Sequence, residues 1–179
     1  MKVLLVIDMQ QGSFTPQTPR HDAGGVVERI NQLAGIMRQS NGKVIFIQHN
    51  GTRDNEFLPG TPDWKLLPSL TVKEEDILID KTANDCFYNS VLDSTLKQLA
   101  ADELIVTGCA TDFCVDTTIR SALAKDYNIT VISNGHTTAN RDHLNAETVI
   151  AHHNWVWQNM IPTKGKIKVL SLSEYLLQG

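Results

Sequence analysis

The feature that most constrains this chain is an alternation of short, uninterrupted apolar runs with longer stretches of helical periodicity. Residues 3–7, 44–47, 77–79, 104–106, 129–132 and 167–170 are runs of strand length, broken only by Lys168. Continuous hydrophobicity, as opposed to apolar–polar alternation, belongs to strands covered on both faces, the condition of a parallel sheet. Between the runs, Val26, Val27, Ile30, Leu33, Ala34 and Met37 recur at helical spacing, which predicts a helix with one buried face. Val91, Leu92, Thr95, Leu96 and Leu99 repeat that pattern, as do Val115, Thr118, Ile119, Ala122 and Leu123. A fourth helix is predicted over 142–158, less cleanly amphipathic, with Arg141 and Asp142 at its start as cap and surface residues. Its far end carries Trp155 and Trp157, expected to fill a helix–sheet or subunit interface. Strand alternating with helix implies an α/β fold, an open sheet with right-handed crossovers.

One stretch breaks the rhythm. Residues 48–75 are as long as a crossover, yet they contain Pro59, Pro62, Pro68, Gly51 and Gly60 and cannot form one helix. A loop this long in a compact domain is a functional excursion or a partner contact. No repeat, low-complexity tract or linker divides the chain, so one domain over 1–179 is expected, large enough to fold without a disulfide or metal staple. Sixteen basic against twenty acidic residues leave no cationic surplus for phosphates, which argues against a nucleic-acid partner. Three cysteines cannot complete a disulfide framework and point to a reducing compartment. The apolar start ends at Asp8, short of the ~7–15 apolar residues of a signal peptide, and no run approaches the ~20 that span a bilayer. The expectation is a cytoplasmic protein with no membrane partner.

In open α/β sheets ligands bind beyond the carboxyl ends of the strands, so reactive residues just after a strand matter most. Three stand out: Asp8 after the first run, Lys81 after the third, and Cys114 where the fourth runs through Gly108 into a helix. Each has a plain structural reading: turn or cap for the Asp, solvated charge for the Lys, buried filler for the Cys. Convergence on one sheet edge gives them a joint chemistry. A helix N-terminus and a nearby ammonium would lower the thiol pKa. Asp8 would take the thiol proton and return it to a leaving amine, while Lys81 holds both anions in place. Free backbone N–H groups in the turn would receive an acyl oxyanion, the requirements of covalent acyl transfer followed by hydrolysis.

These residues resemble the isochorismatase-like cysteine hydrolases, which include nicotinamidases, N-carbamoylsarcosine amidase and ureidoacrylate amidohydrolases. The resemblance covers nearly the whole chain. It runs through Asp8-Met9-Gln10 and Asp80-Lys81 with Phe87 six residues on, and is strongest in Gly108-Cys109-Ala110-Thr111-Asp112-Phe113-Cys114-Val115, similar to a Gly-x-x-Thr-x-x-Cys-Val nucleophile turn. It implies a three-layer α/β/α fold on a six-stranded parallel sheet of order 3-2-1-4-5-6. It also implies a catalytic triad of Asp8, Lys81 and Cys114, a cis peptide at Cys109–Ala110, and an oxyanion hole from the Ala110 and Cys114 N–H groups. Phe14, His49, Trp64 and Phe87 resemble positions lining the substrate pocket.

The chain departs from the family pattern in two places. Gln48-His49-Asn50-Gly51 stands where nicotinamidases carry an Asp-x-His metal site, so neither metal nor other cofactor is expected. The founding vinyl-ether hydrolases lack a cysteine nucleophile, which Cys114 supplies here. Cys109 reads as strand-end filler, with a resolving thiol as the alternative, and Cys86 has no visible role. His152 and His153, being adjacent, point about 100° apart on a helix and make no chelating pair. The resulting expectation is a homo-oligomeric (dimeric or tetrameric) cysteine hydrolase acting on a C–N bond of a small amide or carbamoyl-type substrate. The alternatives are Asp8-dependent vinyl-ether cleavage without a cysteine nucleophile, and a non-catalytic binding or regulatory member of the fold.

Overall fold

A computed structural model describes residues 1–51 and 56–178. Every apolar run is a strand: β1 (Lys2–Ile7), β2 (Lys43–His49), β3 (Ile77–Lys81), β4 (Glu103–Cys109), β5 (Asn128–Thr137) and β6 (Ile167–Leu170). They form one sheet of order β3-β2-β1-β4-β5-β6, parallel at every pairing. The chain winds outward from β1 to β3, then returns to lay β4 on the other side of β1. The carboxyl ends of β1 and β4 therefore flank the point where the winding reverses, the place such sheets reserve for ligands. The edge strand β3 departs from the two-faced cover expected of it. Ile77 and Ile79 pack into the core, but Leu78 on the opposite face is 54% exposed.

Side chains alternate across the sheet, and β1 feeds two cores. Val3, Leu5 and Ile7 pack with Leu92 and Leu96 of α2 (Leu92–Gln98), Ile119 and Ala122 of α3 (Asp116–Ala124), and Trp157 of α4 (Ala146–Gln158). Leu4 and Val6 face the other way, onto Val26, Ile30, Leu33 and Met37 of α1 (Ala23–Gln39) and Leu172 of α5 (Leu172–Leu176). The three-layer α/β/α architecture follows from these two faces. Two helical expectations need correction. The fourth helix starts at Ala146, not 142, because Asn145 caps it by accepting from the Thr148 N–H at 2.8 Å. Arg141 and Asp142 precede it in a turn closed by the Arg141–Leu144 bridge. Helix α5 is too short for periodicity to reveal, although its Ser171/Glu174 capping box is a local signal. Trp157 is wholly buried and its Nε1 donates to Asp116 Oδ1 at 2.8 Å, whereas Trp155 is exposed.

The β4–β5 ladder carries the fold's main irregularity. Val106 pairs with Val131 but Gly108 pairs with His136, so β5 bows outward over 132–135. Groups outside the ladder satisfy the bow: the Ser133 carbonyl accepts from Asn154 Nδ2 at 2.9 Å and the Asn134 carbonyl from Arg29 Nε at 2.5 Å. Opposite it, Gly108 has φ +123° and lies against Ile7, where a Cβ would meet the Ile7 carbonyl oxygen and stand 2.5 Å from its nitrogen. Only glycine allows β4 to press this closely on the end of β1. Just beyond the bow, His136 is buried between Thr111 Oγ1 (2.9 Å from Nδ1) and Asn154 Oδ1 (3.0 Å from Nε2). Asn154 uses its amide on Ser133, so its oxygen faces the ring; Nε2 carries the proton and Nδ1 accepts from Thr111. Burial pushes the His136 pKa down to about 4, against the opposing pull of the Asn154 bond.

Gly108→Ala is expected to lower stability by at least ~2 kcal/mol, a fall of roughly 4–8 °C in a chain of this size, read by thermal unfolding. A midpoint within a degree of the parent contradicts the close approach. His136 binds a proton near 6.5 when unfolded and near 4 when folded, so between those values the unfolded state holds the extra proton and stability falls as pH drops. That window is worth on the order of 3 kcal/mol. Urea titrations at pH 4.5 and 7 should show a shallower pH dependence in His136→Gln, by close to one proton, than in the parent.

Candidate active site

Asp8 follows β1 in a left-handed backbone conformation, φ 48°, which aspartate tolerates better than most residues. Its N–H still donates to the Ile47 carbonyl at 2.9 Å, so the sheet bonding continues while the side chain turns across the strand ends. Lys81 closes β3, in register with His49 on β2. Its ammonium reaches past β2 to Asp8 Oδ2 at 2.7 Å, and also meets the Ala83 carbonyl at 2.9 Å and Cys114 Sγ at 3.3 Å. Cys114 sits in a π-helical turn, Thr111–Val115, that leads from β4 into α3. The cis peptide between Cys109 and Ala110 precedes that turn. Sheet order and register thus gather a carboxylate, an ammonium and a thiol from three separate strand ends.

The electrostatics differ from the sequence expectation in one respect. The Cys114 pKa is raised, not lowered: burial acts first, the Asp8 carboxylate second, and Lys81 offsets them only in part. The ammonium is shared with Asp8, and the thiol is shielded from the water that would favour its anion. Burial also opposes the charge on Lys81, but Asp8 and the other acidic groups around it hold its pKa above the ordinary value. Asp8 Oδ2 is engaged by Lys81, whereas buried Oδ1 has no hydrogen-bond partner. Asn84 adds an amide oxygen 3.6 Å from Sγ. Burial raises the other two thiols as well, to about 12; they differ from the partly exposed Cys114 in being buried, although Cys109 borders the cavity over Cys114.

Polar anchors hold the π-turn from behind. Arg141 grips Asp112 through Nε and Nη2, both at 2.9 Å, and Thr138 donates to the same carboxylate at 2.7 Å. Burial works against that charge, yet these bonds keep the Asp112 carboxyl below its ordinary pKa. The Arg141 guanidinium also lies 4.9 Å from the Phe113 ring centre. Arg141 is therefore a clamp on the cysteine turn and not the surface residue expected beside a helix cap. Thr111 bonds His136 as described above, and Gln10 pins the long loop by accepting from the His49 N–H at 2.8 Å and donating to the Trp64 carbonyl at 2.8 Å.

A cavity of about 200 Å³ opens over Cys114 and Asp8, walled by Ser13, Arg20, His49, Phe57, Asn84 and Phe113. Of the four pocket candidates read from sequence, His49 lines it. The others do not. Phe14 packs against the core beneath α1, Trp64 donates from Nε1 to Asn50 Oδ1 at 2.6 Å, and Phe87 stacks on Tyr127 with ring centres 6.0 Å apart. Asn84 and Phe113 were legible only as neighbours of Lys81 and Cys114, while Arg20 and Phe57 lie in aperiodic segments that carried no signal. A larger cavity of about 650 Å³ lies at the opposite, amino end of the sheet, around Lys2, Glu103, Thr130 and Tyr175. It is lined by no cysteine, whereas the smaller cavity lies over the Asp8–Lys81–Cys114 cluster.

The family model for the isochorismatase domain matches residues 2–158. Streptothricin hydrolase from Streptomyces noursei is 26% identical over 138 residues, 77% of this chain and 50% of that protein, so this chain spans about half the length of that relative. Ureidoacrylate amidohydrolase RutB from Caulobacter vibrioides is 27% identical over 165 residues, 72% of this chain and 73% of that protein. A crystal structure of an isochorismatase family protein superimposes with a TM-score of 0.86 at 30% identity, covering 93% of this chain and 97% of that one. With the matched domain running through all of β1 to β5 and α1 to α4, this chain belongs to the isochorismatase family.

Proposed function

We propose that the chain is a hydrolase that cleaves a non-peptide C–N bond of a small amide or carbamoyl-type substrate through a thioester on Cys114. The observation that carries this reading is the meeting of Lys81 Nζ with Asp8 Oδ2 at 2.7 Å and Cys114 Sγ at 3.3 Å under one small cavity. The named hydrolases among the relatives, acting on streptothricin and ureidoacrylate, support the same bond class.

Because burial and the Asp8 carboxylate raise the thiol pKa, deprotonation in this reading accompanies the attack and does not precede it. Asp8 takes the Sγ proton as the sulfur closes on the substrate carbonyl carbon, and the neighbouring ammonium offsets the charge that passes between them. The carbonyl oxygen becomes an oxyanion in front of the Ala110 and Cys114 N–H groups; that of Ala110 has no acceptor among the described residues. As the tetrahedral centre collapses, Asp8 returns its proton to the departing nitrogen and ammonia or an amine leaves. Water, deprotonated by Asp8, then attacks the thioester carbon, the C–S bond breaks, Cys114 recovers its proton, and the acid is released. His49 serves as a neutral wall: burial and the Lys81 charge both lower its pKa.

Cys114→Ala and Asp8→Asn are each expected to lower ammonia release from an amide panel by at least ~10³-fold, with unfolding midpoints showing that the proteins still fold. Full activity without the thiol sinks the mechanism. Iodoacetamide at neutral pH should label Cys114 ahead of Cys86 and Cys109, read by peptide mass mapping, because Cys114 is partly exposed over the cavity and the other two are buried. Equal labelling of all three contradicts it.

A further inference from the structure

The sheet face covered by α1 and α5 changes character at its amino end. Leu4, Val6, Ile105 and Ile132 on that face are buried and apolar. Two residues nearer the strand starts, the same alternation brings up Lys2 of β1, Glu103 of β4, Thr130 of β5 and Lys168 of β6. Register sets Lys2 beside Glu103 and Thr130 beside Lys168. This polar row floors the cavity of about 650 Å³, whose walls are Ile36 and Met37 of α1 and Tyr175 and Leu176 of α5.

Within the row, three groups satisfy one another. Thr130 Oγ1 donates to Glu103 Oε1 at 2.7 Å, and Lys2 Nζ stands 3.7 Å from Glu103 Oε2 and 5.4 Å from the Tyr175 ring centre. Two donors are left over. Lys168 Nζ meets no carboxylate among the described residues and reaches only the Gln178 amide oxygen, at 3.5 Å. The Tyr175 hydroxyl donates to no acceptor among them, and burial raises its pKa, so the phenol keeps its proton. Two lysines against one carboxylate leave a surplus positive charge in the lining, on a chain whose net charge is −4. The adjoining crevice, about 450 Å³, adds Lys166 and Asp102, but the Met1 ammonium already holds Asp102 at 2.8 Å.

Aliphatic walls with a surplus ammonium and an unclaimed phenol suit a molecule that has an apolar body and a single anionic head. A carboxylate accepts from both donors, and its bond to the ammonium is charge-assisted. A neutral head forfeits that charge, and a cationic head meets Lys2 and Lys168. The flexible thioether of Met37 adapts to a chain better than to a rigid ring. The volume lies within the ~300–1,000 Å³ of small-molecule sites. We infer that this cavity is a second ligand-binding site, taking an aliphatic carboxylate of the fatty-acid class with its head on Lys168 and Tyr175 and its chain against Ile36, Met37 and Leu176. The inference does not depend on the amide hydrolysis proposed above, because the site lies at the opposite end of the sheet from Cys114.

Calorimetric titration with octanoate, octan-1-ol and octylammonium, equal in chain length and kept below aggregation, tests it. Octanoate should bind the full chain saturably and at least ~10-fold more tightly than the alcohol, the scale of one charged hydrogen bond, with the ammonium weakest. Lys168→Gln should bring octanoate to within ~3-fold of the alcohol, and Tyr175→Phe should remove part of the preference. Lys168 is exposed, so the first variant is expected to keep the parent's unfolding midpoint. The ratio of acid to alcohol within each variant is the readout, because a general loss of packing weakens both alike. Protein alkylated at Cys114 with iodoacetamide should bind octanoate as the untreated protein does. Loss of binding on alkylation places the ligand in the reactive cavity and overturns the assignment. So does an absence of saturable octanoate binding, equal binding of the alcohol, or a preference that survives Lys168→Gln.

Discussion

The structure depends on a buried ion pair. Asp8 and Lys81 stand at the ends of β1 and β3, almost wholly enclosed and 2.7 Å apart. Taking two such charges out of water costs several kcal/mol per ion, and contact alone rarely repays it without further bonds. Those bonds come from the Ala83 carbonyl and Cys114 Sγ, while the β2 register with β3 sets the lysine beside His49, from where it reaches past one strand. The arrangement uses its sheet order: with only β2 between β1 and β3, the long lysine side chain can cross to Asp8. Gly108 completes it from the other side, since its missing side chain lets β4 press onto the end of β1.

Around this pair the molecule divides into satisfied and unsatisfied polar groups. Behind the cysteine turn each anchor is engaged: Asp112 with Arg141 and Thr138, Thr111 with His136, and Asp116 with Trp157. In a low-dielectric interior such completed networks are strong and make the turn rigid. On the cavity side the opposite holds. Asp8 Oδ1, the Ala110 N–H and the ends of Arg20 are left free by the protein among the described residues. Donors and acceptors held ready in this way need little rearrangement when a reacting group arrives, which is the physical content of preorganisation. The residues from β5 to α4 mainly hold in place the turn that follows β4.

Much of this was legible in the residues. Each of the six apolar runs is a strand, because buried strands need continuous hydrophobicity, and three of the helices announce themselves by a repeating apolar face. The boundaries were less legible. Leu78 is apolar yet exposed, since an apolar run does not reveal which strand ends up at a sheet edge. The fourth helix starts late because Asn145, and not the earlier polar residues, makes the capping bond. Among the pocket aromatics, Phe14, Trp64 and Phe87 pack away from the cavity that Phe57 and Phe113 line, and nothing in a residue's type separates the two outcomes. The thiol's elevated pKa was misread for a related reason: a helix start and a lysine can be read along the chain, but burial and a competing carboxylate cannot.

Local order therefore determined a great deal by itself. Periodicity specified strands, helices and buried faces, and punctuation after the strands singled out Asp8, Lys81 and Cys114, because side-chain direction repeats with backbone period. Tertiary structure alone decided how far the three reach, which groups share a charge, and which are shielded from water. Those properties depend on distances across the sheet and on the exclusion of water, and both arise from residues far apart in sequence.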